Sequence, residues 1–145
     1  MNGFKEDLER DFPELRSSSY RIASPFDPTY NCIAWAAGDS SRWWEPDPMG
    51  ICYWPPEVPR EYSIKAYRGV FESLGFEECD NEGLEHVVGK VAIYMKSGKP
   101  THALRQLESG QWTSKMGRSV DIEHILRGLT GDLYGSINCI LKKLL

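Results

Sequence analysis

The stretch THALRQLESGQWTSKMG, residues 101–117, decides the fold. It contains two strand-like runs, 101–107 and 112–116, on either side of a Ser109-Gly110 pair. A serine–glycine pair in a short connection favours a hairpin turn, because glycine readily adopts the positive φ that such turns need. The segment therefore predicts two adjacent antiparallel strands.

Further secondary structure is predicted on both sides of this hairpin. The clearest helix is 61–75, in which apolar residues recur every three or four positions and a glycine ends the pattern. The other predicted elements are a helix at 4–15 broken near Pro13, a two-turn helix from Cys32 to Gly38, a helix at 121–129, and strands at 76–79, 91–95 and 134–141. Helices followed by an antiparallel sheet define the α+β class. The length of 145 residues fits one domain, residues 1–145.

The segment 39–60 is predicted to be an ordered loop that packs on the domain. It contains five of the nine prolines, which rule out regular structure over most of it. It also contains Trp43, Trp44 and Trp54, whose large rings are costly to leave in water. An aromatic cluster inside the protein is the favoured interpretation, and a ligand-binding groove formed by these rings is the alternative.

Composition and charge limit the functional classes. Hydrophobic residues make up 41% and charged residues 26%, as in ordinary globular proteins. The net charge is -4 and the sequence has no long basic run, so a nucleic-acid partner is not expected. No stretch approaches the roughly 18 consecutive apolar residues of a membrane span, and the first residues lack the apolar core of a signal peptide. We therefore expect no membrane association and a cytoplasmic protein.

The four cysteines are expected to be free thiols. Cys32, Cys52, Cys79 and Cys139 are far apart in sequence, and no Cys-x-x-Cys pair occurs. Structural zinc sites usually contain ligand pairs at short spacing, so neither a metal nor another cofactor is predicted. Two disulfides would require secretion, which nothing else in the sequence favours.

Cys32 and His102 are the candidate catalytic pair. A cysteine nucleophile reacts as the thiolate, so its pKa must fall below the usual value of about 8.5. A helix N-terminus supplies partial positive charge, and a nearby imidazole can accept the thiol proton. Cys32 stands at the start of a predicted helix, and His102 stands at the head of a predicted strand. The alternative is a core cysteine and a structural histidine.

Several motifs resemble a family of small, uncharacterised bacterial proteins. They are YNCIAWAAGD at 30–39, the Trp-Trp pair at 43–44, YWP at 53–55, THALRQLESGQWTSKMG at 101–117 and DIEH at 121–124. This family is similar in turn to papain-like cysteine amidases and peptidases of the NlpC-type and CHAP-type branches. There, a cysteine on an N-terminal helix precedes a histidine on a sheet strand. The resemblance implies a papain-like core with Cys32 as nucleophile and His102 as base.

The resemblance also implies a third polar residue that orients the His102 ring. A two-residue turn puts Lys115 on the same face of the hairpin as His102, and a shift of one residue puts Ser114 there instead. Neither arrangement supplies a carboxylate. Asp121, just after the second strand, is the better orienter and Ser114 is the second choice, although Asp121 also suits the N-cap of the helix predicted there. A bare cysteine–histidine dyad is the remaining alternative.

Substrate contacts and an oxyanion hole have candidates as well. The backbone N–H of Cys32 and a donor from Asn31 would stabilise an oxyanion. Lys115 is a candidate contact for a substrate carboxylate. The remaining candidates are the aromatic rings of the 39–60 loop, Trp43, Trp44 and Trp54.

The function predicted from these residues is that of a thiol hydrolase or acyltransferase. Its substrate would contain an amide or related acyl bond, as in peptides, isopeptides, cell-wall cross-links or glutamine side chains. The alternative is a catalytically inactive papain-like fold that serves as a protein-binding module, with the aromatic loop as its contact surface. The absence of an evident third residue favours that alternative.

Overall fold

The structure is a computed structural model that describes residues 2–145. Its helices are α1 (Asn2–Asp11), α2 (Cys32–Ala36) and α3 (Ile64–Ser73), and a 3₁₀ turn spans Pro13–Ser17. Its strands are β1 (Arg21–Ser24), β2 (Glu77–Cys79), β3 (Val88–Lys96), β4 (Lys99–Gln106), β5 (Trp112–Lys115), β6 (Asp121–His124) and β7 (Ser136–Leu144). Within residues 2–145, no helix is long and apolar enough to cross a bilayer.

The strands form one antiparallel sheet in the order β1-β6-β5-β4-β3-β7-β2. Side chains alternate between its two faces. The first face, which contains Ile93 and Ala103, is covered by α2, α3 and the 39–60 loop. The second face, which contains Tyr94 and Leu104, is covered by α1, the 3₁₀ turn and the chain between β6 and β7. This arrangement confirms the α+β class.

Side-chain caps fix where α2 and α3 begin. Oδ1 of Asn31 accepts a hydrogen bond from the N–H of Ala34 at 3.3 Å, and Oγ of Ser63 accepts one from the N–H of Ala66 at 3.0 Å. A side-chain oxygen at the N-cap satisfies one of the N–H groups that the first turn leaves free. Both predicted helices are confirmed, although α2 has five residues where two turns were expected.

The helix predicted at 121–129 is wrong. Residues 121–124 form β6, which lies between β1 and β5 and pairs with both. Apolar residues at helical spacing suggested the helix, but Ile125 is 43% exposed while Ile122 and His124 are fully buried on the second face. Alternating burial of this kind belongs to a strand. Pairing with two neighbouring strands therefore outweighed the local pattern.

The remaining predicted strands are confirmed within a few residues at their ends. Residues 91–95, 101–107, 112–116 and 134–141 fall in β3, β4, β5 and β7. The edge strand β1 was not predicted, because its residues lie in a segment rich in serine and proline.

The 39–60 loop is ordered and buries two of its tryptophans. Trp44 is 5% exposed and Trp54 is 4% exposed. The indole N–H of Trp44 donates to a carboxylate oxygen of Asp39 at 2.8 Å, and that of Trp54 donates to the carbonyl of Pro59 at 2.9 Å. Burying one such ring removes on the order of 150 to 250 Å² from water, which stabilises a loop without regular structure. The structure thus supports the aromatic cluster rather than the groove.

At the start of β4 the sheet has no pairing between β4 and β5. β4 and β5 pair at only two positions, Arg105 with Thr113 and Gln106 with Trp112. This register differs by one residue from that of a two-residue turn, so Ser114 rather than Lys115 shares a face with His102. The opening between residues 101–104 of β4 and the end of β5 is called the β4–β5 gap below.

Candidate functional site

Cys32 lies at the β4–β5 gap, on the first face of the sheet. It is the first residue of α2, whose Ile33 and Ala34 are buried against that face. The thiol-bearing residue itself is partly exposed, which distinguishes it from the buried Cys139. All four cysteines are free thiols.

The sulfur of Cys32 is surrounded by groups that act on its pKa in opposite directions. Burial raises the pKa of the thiol and is the largest effect. The backbone N–H groups of Ala103 and Ile33 lower it, as does the ammonium group of Lys115. Burial wins, so the pKa lies above its usual value and the resting group is the protonated thiol.

His102 lies on the second face of the sheet and is fully buried. Its ring stacks on the ring of Tyr134, with centroids 4.5 Å apart and planes 12° from parallel. Among the described residues, neither ring nitrogen has a hydrogen-bond partner. Burial, and secondarily the charge of His124, lowers the pKa of His102 to about 3. The imidazole is therefore neutral, with a lone pair that no group uses.

The structure brings Cys32 and His102 to the same gap without joining them. The N–H of Ala103 acts on the Cys32 sulfur, and Ala103 directly follows His102 in β4. The two side chains nevertheless approach the gap from opposite faces, and no hydrogen bond connects them. They are neighbours whose direct contact requires the imidazole to turn toward the sulfur.

Ser114 does not orient His102, because it is bound to another histidine. Its Oγ lies 2.7 Å from Nε2 of His124, and Nδ1 of His124 lies 2.6 Å from the carbonyl of Ile125. A carbonyl only accepts, so Nδ1 carries the proton and Nε2 accepts from the hydroxyl of Ser114. Burial lowers the pKa of His124 to about 4. Ser114 and His124 are both fully buried, so the pair braces β5 against β6.

Asp121 is neither the orienter of His102 nor a helix cap. It begins β6 opposite Lys115, and it is 3% exposed. Lys115 and Asp121 face the first side of the sheet, whereas His102 faces the second, because side chains alternate along each strand. The carboxylate of Asp121 acts instead on Lys115, where it raises the pKa that burial lowers more strongly.

Lys115 is a buried structural cation rather than a contact for a substrate carboxylate. Its side chain is fully buried, and Nζ donates to the carbonyls of Asp27 at 2.5 Å, Tyr30 at 3.1 Å and Gly117 at 2.7 Å. An ammonium group has three protons, so these bonds use all of them. Lys115 thereby holds the segment before α2 in place, which positions Cys32.

The other predicted contacts are also occupied within the protein. Nδ2 of Asn31 donates to the carbonyl of Trp44 at 2.7 Å, and its Oδ1 accepts from the N–H of Trp44 at 3.1 Å. Both polar atoms of the Asn31 side chain therefore bind the backbone of the 39–60 loop, and neither is free to bind an oxyanion. Trp43 remains partly exposed, with its indole N–H bound to Glu45 at 3.0 Å and Arg118 over its ring. Within residues 2–145, no three histidine, cysteine or acidic side chains are grouped to hold a metal ion.

Two residues of the site had no signal in the sequence. Tyr134 supplies the ring that stacks on His102, and Ala103 supplies the N–H at the sulfur of Cys32. A tyrosine at a strand end and an alanine inside a strand are ordinary residues. They become part of the site because β4 and β5 do not pair at the β4–β5 gap, where Cys32 and His102 lie.

The fold and the site together define an α+β protein in which a cysteine and a histidine flank a gap in an antiparallel sheet. Residues 21–142 match the family described as Domain of unknown function (DUF7689), and the chain belongs to this family. The matched range contains Cys32, His102 and Tyr134. No curated protein and no solved structure matches the chain.

Proposed function

We propose that this protein is a thiol hydrolase or acyltransferase with a papain-like core, in which Cys32 is the nucleophile and His102 the base. One observation carries the proposal: His102, a fully buried, neutral imidazole without a hydrogen-bond partner, directly precedes Ala103, whose N–H acts on the sulfur of Cys32. Leaving a buried polar group unpaired costs about 1 to 3 kcal/mol, and most buried polar groups are hydrogen-bonded. A neutral imidazole is the form that accepts a proton, but burial holds the pKa of His102 at about 3, so the mechanism requires that pKa to rise toward the operating pH when substrate binds.

The reaction would follow the usual order of thiol acyl transfer. The His102 ring takes the proton of the Cys32 thiol, and the sulfur attacks the carbonyl carbon of the substrate. The carbon–nitrogen bond breaks as the His102 imidazolium returns its proton to the leaving amine. Water or a second amine then attacks the thioester and frees the thiol.

The mechanism needs the His102 ring to rotate toward the Cys32 sulfur. Hydrogen bonds between catalytic groups are often long before substrate binds and shorten in the complex. The N–H of Ala103 and the ammonium of Lys115 already act on the sulfur in the direction that favours the thiolate. The stack on Tyr134 holds the His102 ring in its resting orientation, so the rotation requires the two rings to slide or separate.

The second candidate is a catalytically inactive papain-like fold that binds a protein or peptide. Two observations favour it. No hydrogen bond joins Cys32 to His102, and burial raises the pKa of the Cys32 thiol rather than lowering it. In that case His102 is a core residue of the second face, and packing around it offsets the cost of its unpaired ring nitrogens.

Alkylation of Cys32 by iodoacetamide at pH 7 separates the two candidates. If His102 is the base, His102→Asn should slow alkylation about a hundredfold or more, which is the lower end of the effect of a positioned base. A packing histidine predicts an equal or faster rate, because the smaller side chain opens the site. Peptide mapping assigns the label, and the partly exposed Cys52 in the same sample is the reference. Near-ultraviolet circular dichroism shows that the variant is folded, and His102→Gln serves if it is not.

A further inference from the structure

A groove of about 390 Å³ lies on the second face, between α1 and the chain that borders the β4–β5 gap. Its walls are mostly apolar and include Leu8, Phe12, Met116, Leu133 and Tyr134. Leu133 is 52% exposed, so part of this apolar surface is in contact with water. An open apolar hollow of this size is large enough for one amino-acid side chain.

The inner end of the groove is next to the candidate catalytic pair. Tyr134 lines the groove, and its ring stacks on that of His102. Met116 directly follows Lys115, which acts on the Cys32 sulfur. Burial raises the pKa of Tyr134 first, and the nearby Cys32 raises it further. A chain lying in the groove would therefore pass close to the gap.

The rim of the groove carries two carboxylates. Asp7 and Asp11 line it from one side of α1, four positions apart, and their side chains are 64% and 47% exposed. Arg10 lies 3.0 Å from Asp7 and 3.7 Å from Asp11, and is 68% exposed. One arginine is therefore the ion-pair partner of both carboxylates, so these three side chains carry a net charge of about -1. Exposed ion pairs of this kind are weak and exchange readily with another cation.

We propose that this groove holds an apolar side chain of a peptide substrate whose neighbouring residue is basic. The inference rests on the proposed function, since it names the substrate class of the same site. The apolar side chain packs on Leu8, Phe12 and Tyr134, and the basic residue pairs with Asp7 and Asp11. The scissile carbonyl then enters the β4–β5 gap toward the Cys32 sulfur.

Two peptidyl chloromethyl ketones test the proposal. Acetyl-Lys-Phe-chloromethyl ketone and its acetyl-Glu-Phe counterpart differ only in the charge beside the apolar side chain. In each reaction a bond forms between the Cys32 sulfur and the methylene carbon, chloride leaves and the thiol proton is released. The lysyl reagent should alkylate Cys32 about two- to fivefold faster, as expected for exposed charge pairs. Asp7→Asn with Asp11→Asn should bring the ratio close to one, whereas Asp132→Asn, an exposed carboxylate outside the groove lining, should leave it unchanged.

The outcomes distinguish this inference from the function on which it rests. Equal rates for the two reagents, or a ratio that survives in the double variant, would overturn the groove proposal. If iodoacetamide labelling still depends on His102, the proposed thiol chemistry stands in that case. If labelling is independent of His102, the thiol chemistry fails, whatever the reagents show.

Discussion

Gly135→Ala is expected to destabilise the protein by about 3 kcal/mol or more, because a methyl group at this position has no space. Gly135 has a φ of 77° just before β7, and its N–H and carbonyl pair with Gly131 at 2.8 Å and 3.0 Å. An added Cβ would overlap the carbonyl oxygen of Met95 and would lie 2.9 Å from Cβ of Lys96. The chain can relieve this overlap only by separating β7 from β3.

A second glycine provides the matched control for that prediction. Gly98, between β3 and β4, has a φ of 79°, but nothing lies within 4 Å of an added Cβ. Gly98→Ala should therefore cost only the strain of the left-handed backbone, about 1 kcal/mol. Urea denaturation measures both variants. If Gly135→Ala lost no more stability than Gly98→Ala, the close approach of β3 and β7 at Gly135 would be wrong.

Acid should destabilise the protein well above the pH at which carboxylates titrate. Burial lowers the pKa of His102 to about 3 and that of His124 to about 4, whereas an unfolded histidine titrates near 6.5. Between these values the unfolded chain binds two protons that the folded protein does not, so the free energy of unfolding decreases as pH decreases. Each proton contributes about 1.4 kcal/mol per pH unit, or about 5 kcal/mol for both between pH 6.5 and 4.5. That loss is comparable to the whole stability of many domains.

Urea denaturation at pH 7, 5.5 and 4.5 tests this dependence. His124→Asn should roughly halve the loss, because one of the two buried imidazoles is removed. His86→Asn is the control, since His86 is exposed and should leave the profile unchanged. A free energy of unfolding that stays constant over this range would show that both imidazoles are accessible to protons in the folded state.

Local patterns predicted much of the fold, but not the strand pairings between distant segments. The 61–75 helix follows from apolar residues every three or four positions, and Ser63 caps it as short-range rules require. β6 was mistaken for a helix because its sequence also has helical spacing. Its partner β1 lies about 100 positions earlier, so no local pattern reveals the pairing.

The positions of Cys32 and His102 in the fold were predictable from the sequence, and the groups around them were not. Cys32 at a helix start and His102 at a strand head are local features, and the structure places both beside one gap. The roles of Ser114 and Lys115 depended on a hairpin register that differs by one residue between plausible turns. Two of the three carbonyls that bind Lys115 belong to Asp27 and Tyr30, which are 85 or more positions away. Such distant contacts leave no trace in the spacing of nearby residues.

The most direct test of the central claim is acylation of Cys32 by p-nitrophenyl acetate. In this reaction the sulfur forms a thioester with the acetyl group, and p-nitrophenolate leaves while the thiol proton is released. The proposed thiol chemistry predicts a burst of about one p-nitrophenolate per protein, with the mass of one acetyl group on the Cys32 peptide. It also predicts that Cys32→Ser and His102→Asn each abolish the burst while the protein remains folded. A burst that persists in His102→Asn, or an acetyl group found on another residue, would contradict the assignment of Cys32 and His102 as nucleophile and base.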